Sequence, residues 1–288
     1  VGRPTGHPTP NPEAPLSPQS SATNRIARAE EFRRLHQDVF LLPNAWDPPS
    51  AYALATAGAP ALATTSAGIA WSRGVPDGGG LAVADALDAF ERIAATVDLP
   101  VSADLERGYA DSPAEIAANV AEFVERGASG VNLEDATAGS VVPLADQVVV
   151  LERVRAAIDR TGIPAFLNAR TDVFLRAAPD ADPEDLLSQV VDRAGAYRAA
   201  GADGLFVTGL SDSELIRRLC GKVELPVNIG PVTTDRDDLR ALGVRRVTWG
   251  PTLAMSTYGF VRDRVATVLS GEPAAQAAML NLTERWPS

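Results

Sequence analysis

The chain has 288 residues, 45% of them hydrophobic, with 37 acidic against 26 basic side chains and a formal charge of −11. Such a surface repels nucleic acid and anionic membranes alike, so a small molecule or another protein is the expected partner, and an anionic substrate would need local positive charge from Arg, Lys or a metal. A single cysteine, Cys220, excludes an internal disulfide framework and any multi-cysteine metal site, and the two histidines, His7 and His36, leave little for a histidine-rich one.

Residues 1–24 (VGRPTGHPTPNPEAPLSPQSSATN) are rich in Pro, Ser, Thr and Gly without apolar periodicity. They are expected to form a disordered extension, because they bury too little to offset the entropy of ordering. No secretory leader is recognisable there and no apolar run reaches the roughly 18 residues of a membrane span, so a cytoplasmic location is expected. From Arg25 a short helix (RIARAEEFRRLHQ) leads into the first strand, and His36 in its charged stretch EEFRRLHQD reads as solvated.

Over residues 25–271 short apolar or β-branched runs alternate with loops and with helical stretches whose apolar positions lie three or four apart. The strand candidates are VFLLPNAWD from Val39, ALATTSAG from Ala61, PVSADLE from Pro100, GVNLEDA from Gly130, AFLNARTD from Ala165, GLFVTG from Gly204, PVNIG from Pro226 and RVTWG from Arg246. Ser112-Pro113 marks one helix start and Ser211 or Asp212 another, while Gly127, Gly162, Gly201 and Gly243 follow helix ends. Near-continuous apolar strands alternating with helices suit an α/β fold, a (β/α)8 TIM barrel. A doubly wound sheet is the alternative, but its phosphate-cradling Gly-rich turn is missing after the first strand, which ends PNAWDPPS. Two helical stretches follow the eighth strand, TLAMSTYGFVRDRVATVLSG and then EPAAQAAMLNLTERW within residues 272–288. One closes the barrel; the surplus one is expected to cover another subunit.

A barrel's active site lies where strands end and βα loops begin, so polar residues there carry the functional reading. The third strand candidate ends on Asp104 and Glu106, which alternation points to one side, and the fourth on Glu134 and Asp135, one of which shares that side. Carboxylates so crowded call for a cation, and hard oxygen ligands suit Mg²⁺ or Mn²⁺; the alternative is that they serve as helix caps or solvated loop charges. The fifth ends NARTD, where Arg170 suits bidentate binding of a carboxylate or phosphonate unless it merely pairs with Asp172. The second ends TTSAG, where Thr65, Ser66 and the amides of Ala67 and Gly68 form a candidate oxyanion cradle, and Asn228 is a polar strand end in PVNIG. Cys220, late in its helix and pointing away from the mouth, reads as a packing residue, and no Ser/His/Asp or Cys/His constellation can be assembled.

In this order PNAWD, TTSAG, D-x-E-x-GY, GVNLEDA, NARTD, GADG and PVNI resemble the isocitrate lyase and phosphoenolpyruvate mutase superfamily over about residues 33 to 270. The resemblance implies a barrel with a C-terminal helix exchanged between subunits in a homotetramer or homodimer. It also implies Mg²⁺-assisted cleavage, or phosphoryl rearrangement, of a small 2-oxo or 2-hydroxy acid through a pyruvate-type enolate. Matched by position, Ser66, Ala67 and Gly68 would hold the substrate's carboxylate and enolate oxygen, and Asp104 would ligate the metal directly. Glu106 and Glu134 would reach the metal through water, Asp77 would support the site from further out, Arg170 would grip substrate and Asn228 would line the pocket. The general acid or base is left among Tyr109, Asp135 and a metal-bound water, with Arg170, Glu134 and Tyr109 as the catalytic set.

This chain departs from the family at three places. The segment from Ala136 to Gln147, ATAGSVVPLADQ, holds none of the Lys, Cys or His that the lyases and the mutase carry in their gating loop; Thr208 stands where the lyases have glutamate; and Glu106 replaces the second Asp of D-x-D. Isocitrate, methylisocitrate and true mutase chemistry are therefore disfavoured. A carbon–carbon lyase is the expectation, with phosphonopyruvate hydrolysis or phosphoryl transfer, and a catalytically reduced oxo-acid-binding barrel, as alternatives.

Overall fold

The computed structural model describes residues 21–137, 139–272 and 279–286. Residues 1–20 of the expected disordered extension lie outside the described residues. Helix α1 (Ala22–Leu35) begins before Arg25, because Ser21 caps it, its hydroxyl accepting from the Asn24 amide at 3.4 Å.

The parallel sheet contains β1 (Phe40–Leu42), β2 (Asn44–Ala45), β3 (Leu62–Thr64), β4 (Val101–Asp104), β5 (Gly130–Glu134), β6 (Phe166–Thr171), β7 (Gly204–Val207), β8 (Val227–Ile229) and β9 (Arg246–Thr248). Their spatial order is β1-β9-β8-β7-β6-β5-β4-β3-β2. The terminal members β1 and β2 are halves of one strand broken at Pro43. Leu42 pairs with Thr248 on one side, and Asn44 with Ala63 on the other. Proline has no amide to give the ladder, but its carbonyl accepts from the Ala63 amide at 2.9 Å, so Pro43 is where the strand changes neighbours and the ring closes. The expected (β/α)8 barrel is thus the observed fold.

The remaining helices follow the strands: α2 (Pro48–Thr56), α3 (Ser66–Ser72), α4 (Val83–Thr96), α5 (Pro113–Glu125), α6 (Leu144–Arg160), α7 (Pro183–Ala199), α8 (Ser213–Cys220), α9 (Arg236–Leu242) and, after the last strand, α10 (Thr252–Leu269). Their ends follow local chemistry. Ser112 caps α5 with Pro113 in the first turn, Asp212 caps α8 through the Leu215 amide at 2.9 Å, and Gly243 ends α9 at φ 86°, in the left-handed region that costs other residues strain.

The barrel floor corrects one expectation. His36 is 6% exposed, not solvated. The last turn of α1 carries it beneath the strands, where its ring stacks on Phe166 at 3.8 Å and meets the edges of Phe32 and Phe40 at 5.0 and 4.8 Å. These aromatics, with Leu42, Ala61 and Ala63, form a cluster that plugs the N-terminal ends of the strands. Gly130 leaves room for the plug, since a Cβ there would stand 2.6 Å from Phe32 Cε1.

At the other end of the chain, α10 buries only Ala254 among its residues and exposes Met255, Phe260, Val261, Val265, Val268 and Leu269. The expected helix over EPAAQAAMLNLTERW falls partly on residues 273–278, outside the described residues; its described end holds a single 3-10 turn, Leu282–Glu284. No described helix is long and apolar enough to cross a membrane.

Candidate active site

The C-terminal strand ends meet at one mouth, although Glu106 lies beyond β4 and owes its direction to a turn and not to strand alternation. Asp104 closes β4, and Ser66, the first residue of α3, donates both its amide and its hydroxyl to Asp104 Oδ2 at 3.1 Å. Thr64 Oγ1 accepts from the Asp104 amide at 2.9 Å, tying β3 to β4. Beyond β4 the chain turns sharply, with Glu106 at φ 48° and Tyr109 at φ 56°. Left-handed backbone at such residues costs on the order of 1–3 kcal/mol each and persists only where the surroundings enforce it. Here the Glu134 amide donates to Glu106 O at 2.8 Å and the Asn119 side chain to Gly108 O at 2.8 Å. Gly108, at φ 90°, admits no side chain, because a Cβ would meet Ile116 Cγ2 at 2.6 Å. The turn aims Glu106 inward: it is 8% exposed, and its Oε1 is buried with no hydrogen-bond partner among the described residues.

Arg170, near the end of β6, supplies the cation of the cluster. It grips Asp172 with two bonds, Nε to Oδ1 at 2.7 Å and Nη2 to Oδ2 at 3.0 Å, while Nη1 lies 2.9 Å from Glu134 Oε2. The alternative reading of Arg170, pairing with Asp172, is the one observed, and it fixes the guanidinium beside Glu134 over the face of Phe206. Thr208 donates its hydroxyl to Asp172 Oδ1 and to Thr171 O, so it supports the partner of Arg170.

Electrostatics follow from one arginine serving several acids. Burial pushes the Asp104 carboxyl up, opposed by Arg170 and by the Ser66 bonds. Glu106 is pushed up to about 7 by burial and then by the charges of Asp77 and Asp104, and Glu134 to about 8 by burial, with Arg170 opposing. Burial works against the charge on Arg170, but Glu134 and Asp172 more than compensate and hold it protonated. Tyr109 stacks against Phe123, its hydroxyl 3.5 Å from Asp104 O; burial and then the surrounding carboxylates raise it well above an ordinary phenol, making it a holder of its proton.

Asp104, Glu106 and Glu134 thus feel one another's charge, yet among the described residues no three acidic or histidine side chains close around a common point as a metal cage. The donor set, with the orphaned Glu106 oxygen, fits an ion held by few carboxylates and several waters, the habit of Mg²⁺. Asp77 is exposed on the loop opposite Glu106. Ala67 and Gly68 are buried in the first turn of α3, and Thr65 Oγ1 already accepts from the Gly68 amide at 3.4 Å. Asn228 is 1% exposed and donates to Thr248 Oγ1 at 3.0 Å, deep in the barrel.

Two residues that support the site escaped the sequence reading. Asp135 is wholly buried between Arg193 and Tyr197 of α7, which donate to its Oδ2 at 3.1 and 2.7 Å. The available signal was an Arg on the same helix stripe as Leu187, Val190, Ala194 and Tyr197, where an unpaired charge has no place.

A parallel barrel with a guanidinium and clustered carboxylates at one mouth defines the class: a (β/α)8-barrel enzyme. Residues 32–269 match the phosphoenolpyruvate phosphomutase family, and the chain belongs to that family, within the isocitrate lyase and phosphoenolpyruvate mutase superfamily of carbon–carbon lyases and mutases. It is 38% identical to an uncharacterised protein of Mycobacterium tuberculosis, over 75% of this chain and 79% of that one. It is 28% identical to the 2-methylisocitrate lyase of Escherichia coli, over 80% and 79% of the two chains. An oxaloacetate decarboxylase of Bradyrhizobium is also 28% identical, over 60% of this chain and 59% of its own length. A crystal structure from Burkholderia cenocepacia with a provisional phosphonomutase assignment superposes with a TM-score of 0.81 at 39% identity, covering 84% of this chain and 99% of the other.

Proposed function

We propose that this chain is a Mg²⁺-dependent lyase that breaks a carbon–carbon bond of a small 2-oxo or 2-hydroxy diacid through a pyruvate-type enolate, and that its first substrate to test is an oxaloacetate-type 2-oxo diacid. The observation carrying this reading is Arg170, held by Asp172 and Thr208 beside Glu134, at a mouth where Asp104, Glu106 and Glu134 crowd together. Mg²⁺, or Mn²⁺, bound by Asp104 and through water by Glu106 and Glu134, would polarise the oxo group and stabilise negative charge on its oxygen. Asp77 adds negative potential from outside that shell.

Arg170 grips one substrate carboxylate, while Ser66 and the Ala67 amide orient the other end, Gly68 shaping the turn. With no Lys, Cys or His between Ala136 and Gln147, chemistry needing no proton from that segment is favoured. In decarboxylation the C3–C4 electron pair moves into the C2 carbonyl, CO₂ leaves unprotonated, and C3 of the enolate then takes a proton to give pyruvate. The donor is Glu134, which burial keeps protonated to about 8, while Tyr109 keeps its own proton and with Thr208 and Asn228 shapes the walls. Similarity to named oxaloacetate decarboxylases supports the choice of substrate. The test is turnover of oxaloacetate, malate-type acids and methylisocitrate analogues with Mg²⁺. No turnover, with oxalate binding unchanged in Asp104→Ala, would overturn the reading.

A second reading, cleavage of the P–C bond of phosphonopyruvate, is motivated by the provisional phosphonomutase assignment of the Burkholderia structure. Phosphate release from phosphonopyruvate separates the two.

The protein partner we propose is another copy of this chain, in a homodimer or homotetramer. The exposed apolar face of α10 runs from a groove of about 360 Å³ lined by Trp46, Leu54, Leu253 and Phe260, and a helix from a second subunit would cover both. A monomer in light scattering at micromolar concentration would rule this out.

A further inference from the structure

The segment after β5 is held at both ends by one buried ion pair. Val142 donates its amide to Asp135 O at 2.7 Å, and Thr137 donates its amide to Ser140 O at 2.7 Å, with Ala136 and Val141 bridged antiparallel between them. Arg193 reaches in from α7: Nη2 donates to Val142 O at 2.9 Å and Nη1 to Asp135 Oδ2 at 3.1 Å and to the Tyr197 hydroxyl oxygen at 3.0 Å. The other oxygen of Asp135 accepts from the Asp172 amide at 2.9 Å, and Asp172 is the residue that grips Arg170. Arg193 is 8% exposed and Tyr197 and Asp135 not at all, so these bonds form out of water, where charge-assisted hydrogen bonds are strongest.

We propose that Arg193 and Tyr197 are positioning residues: through Asp135 they fix residues 135–137 and 140–142 as a standing wall of the site and hold the backbone of Asp172, setting Arg170 before any substrate arrives. Only the role of Arg170 as substrate anchor rests on the function proposed above; the wall does not. Its test uses the full chain without ligand, so it stands or falls separately from that function.

The experiment is amide hydrogen exchange on wild type, Arg193→Met and Tyr197→Phe. In Arg193→Met the amides of Val142, Thr137 and Asp172 should exchange at least about tenfold faster, while those of Ala103 and Leu133 in the neighbouring strands keep their rates. Tyr197→Phe should give a smaller acceleration at the same three amides, and it decides the matter alone if Arg193→Met does not fold. Unchanged rates at the three amides, or one uniform acceleration through β4 and β5, would overturn the proposal. So would a wild-type segment that becomes protected only when Mg²⁺ and oxalate are added, since that is a closing lid.

Discussion

Replacing His36 by Phe should change how stability depends on pH, by an amount the barrel floor fixes. Nδ1 lies 2.8 Å from Phe32 O, which can only accept, so Nδ1 carries the proton and Nε2, with no partner among the described residues, would have to take the second one between phenyl rings. Burial first, and the nearby Arg246 charge second, lower this imidazole from 6.5 to about 3. The sign follows. Between these values the unfolded chain binds a proton that the folded chain refuses, so folding stability falls as pH drops below 6.5 and stops falling near 3. At pH 5 the loss is about 2 kcal/mol, and it holds near that size for any folded value below about 4. Phe cannot titrate. Loss of the bond to Phe32 O should cost the variant about 1 kcal/mol at pH 7.5. Between pH 7.5 and pH 5 the variant should then gain about 2 kcal/mol on wild type, which is roughly 4–8 °C in melting temperature for a barrel of this size. Thermal unfolding of both proteins across that range tests it, because every shared carboxylate cancels in the difference. Parallel curves would refute the buried, neutral imidazole.

Further predictions concern the mouth and the floor. Arg170→Lys should lose at least about a thousandfold in turnover of the true substrate, since an ammonium cannot hold Asp172 with two parallel bonds and reach Glu134 as well; steady-state kinetics on the substrate found by the screen would show it. Glu106 and Glu134 have folded values raised to about 7 and about 8, so the stability these two groups contribute to the metal-free protein should be full below their unfolded value near 4.5 and be lost as pH rises through 8. Saturating Mg²⁺ should restore it, by about 2.7 kcal/mol at a hundred times Kd, read as a rise in melting temperature at pH 8 that Asp104→Asn abolishes. Gly130→Ala should destabilise by about 1–3 kcal/mol in chemical denaturation, because its methyl would stand 2.6 Å from the Phe32 ring and 3.0 Å from Phe166 O.

The strand ends were legible because their alternation and placement obey backbone geometry that tertiary context cannot alter: Asp104, Glu134 and Arg170 lie on neighbouring strands at the mouth they were assigned to. What stayed hidden depends on pairings distant in sequence. Phe32, His36 and Phe40 are spaced four apart, but nothing local says that the stripe folds under a barrel, and the charges around them argue for solvent. Arg193 and Asp135 are 58 residues apart and meet only because α7 packs on β6, the neighbour of β5 in the sheet. The sequence reading runs the first strand straight through Pro43 in VFLLPNAWD, and only the closed ring makes that proline the seam.

The charge distribution at the mouth also orders the proposed binding steps. Arg170 is shared among Asp172, Glu134 and, at longer range, Asp104, so a dianionic substrate arriving at the metal-free site meets more negative charge than the guanidinium offsets. A divalent cation bound first offsets two of those negative charges and draws Glu134 from Arg170, whose Nη1 side can then take a substrate carboxylate while Asp172 keeps its hold. The reading therefore expects oxalate to bind only after Mg²⁺. In calorimetry, oxalate titrated into EDTA-treated protein should give no heat of binding, and the same titration with Mg²⁺ present should give a single-site isotherm. Raising the pH from 6 to 8.5 without metal should weaken any residual oxalate binding further, as Glu106 and Glu134 ionise around about 7 and about 8. Equal oxalate affinity with and without Mg²⁺ would place the positive charge that recruits substrate in the protein alone, and the carboxylates would then have to be protonated walls of the pocket.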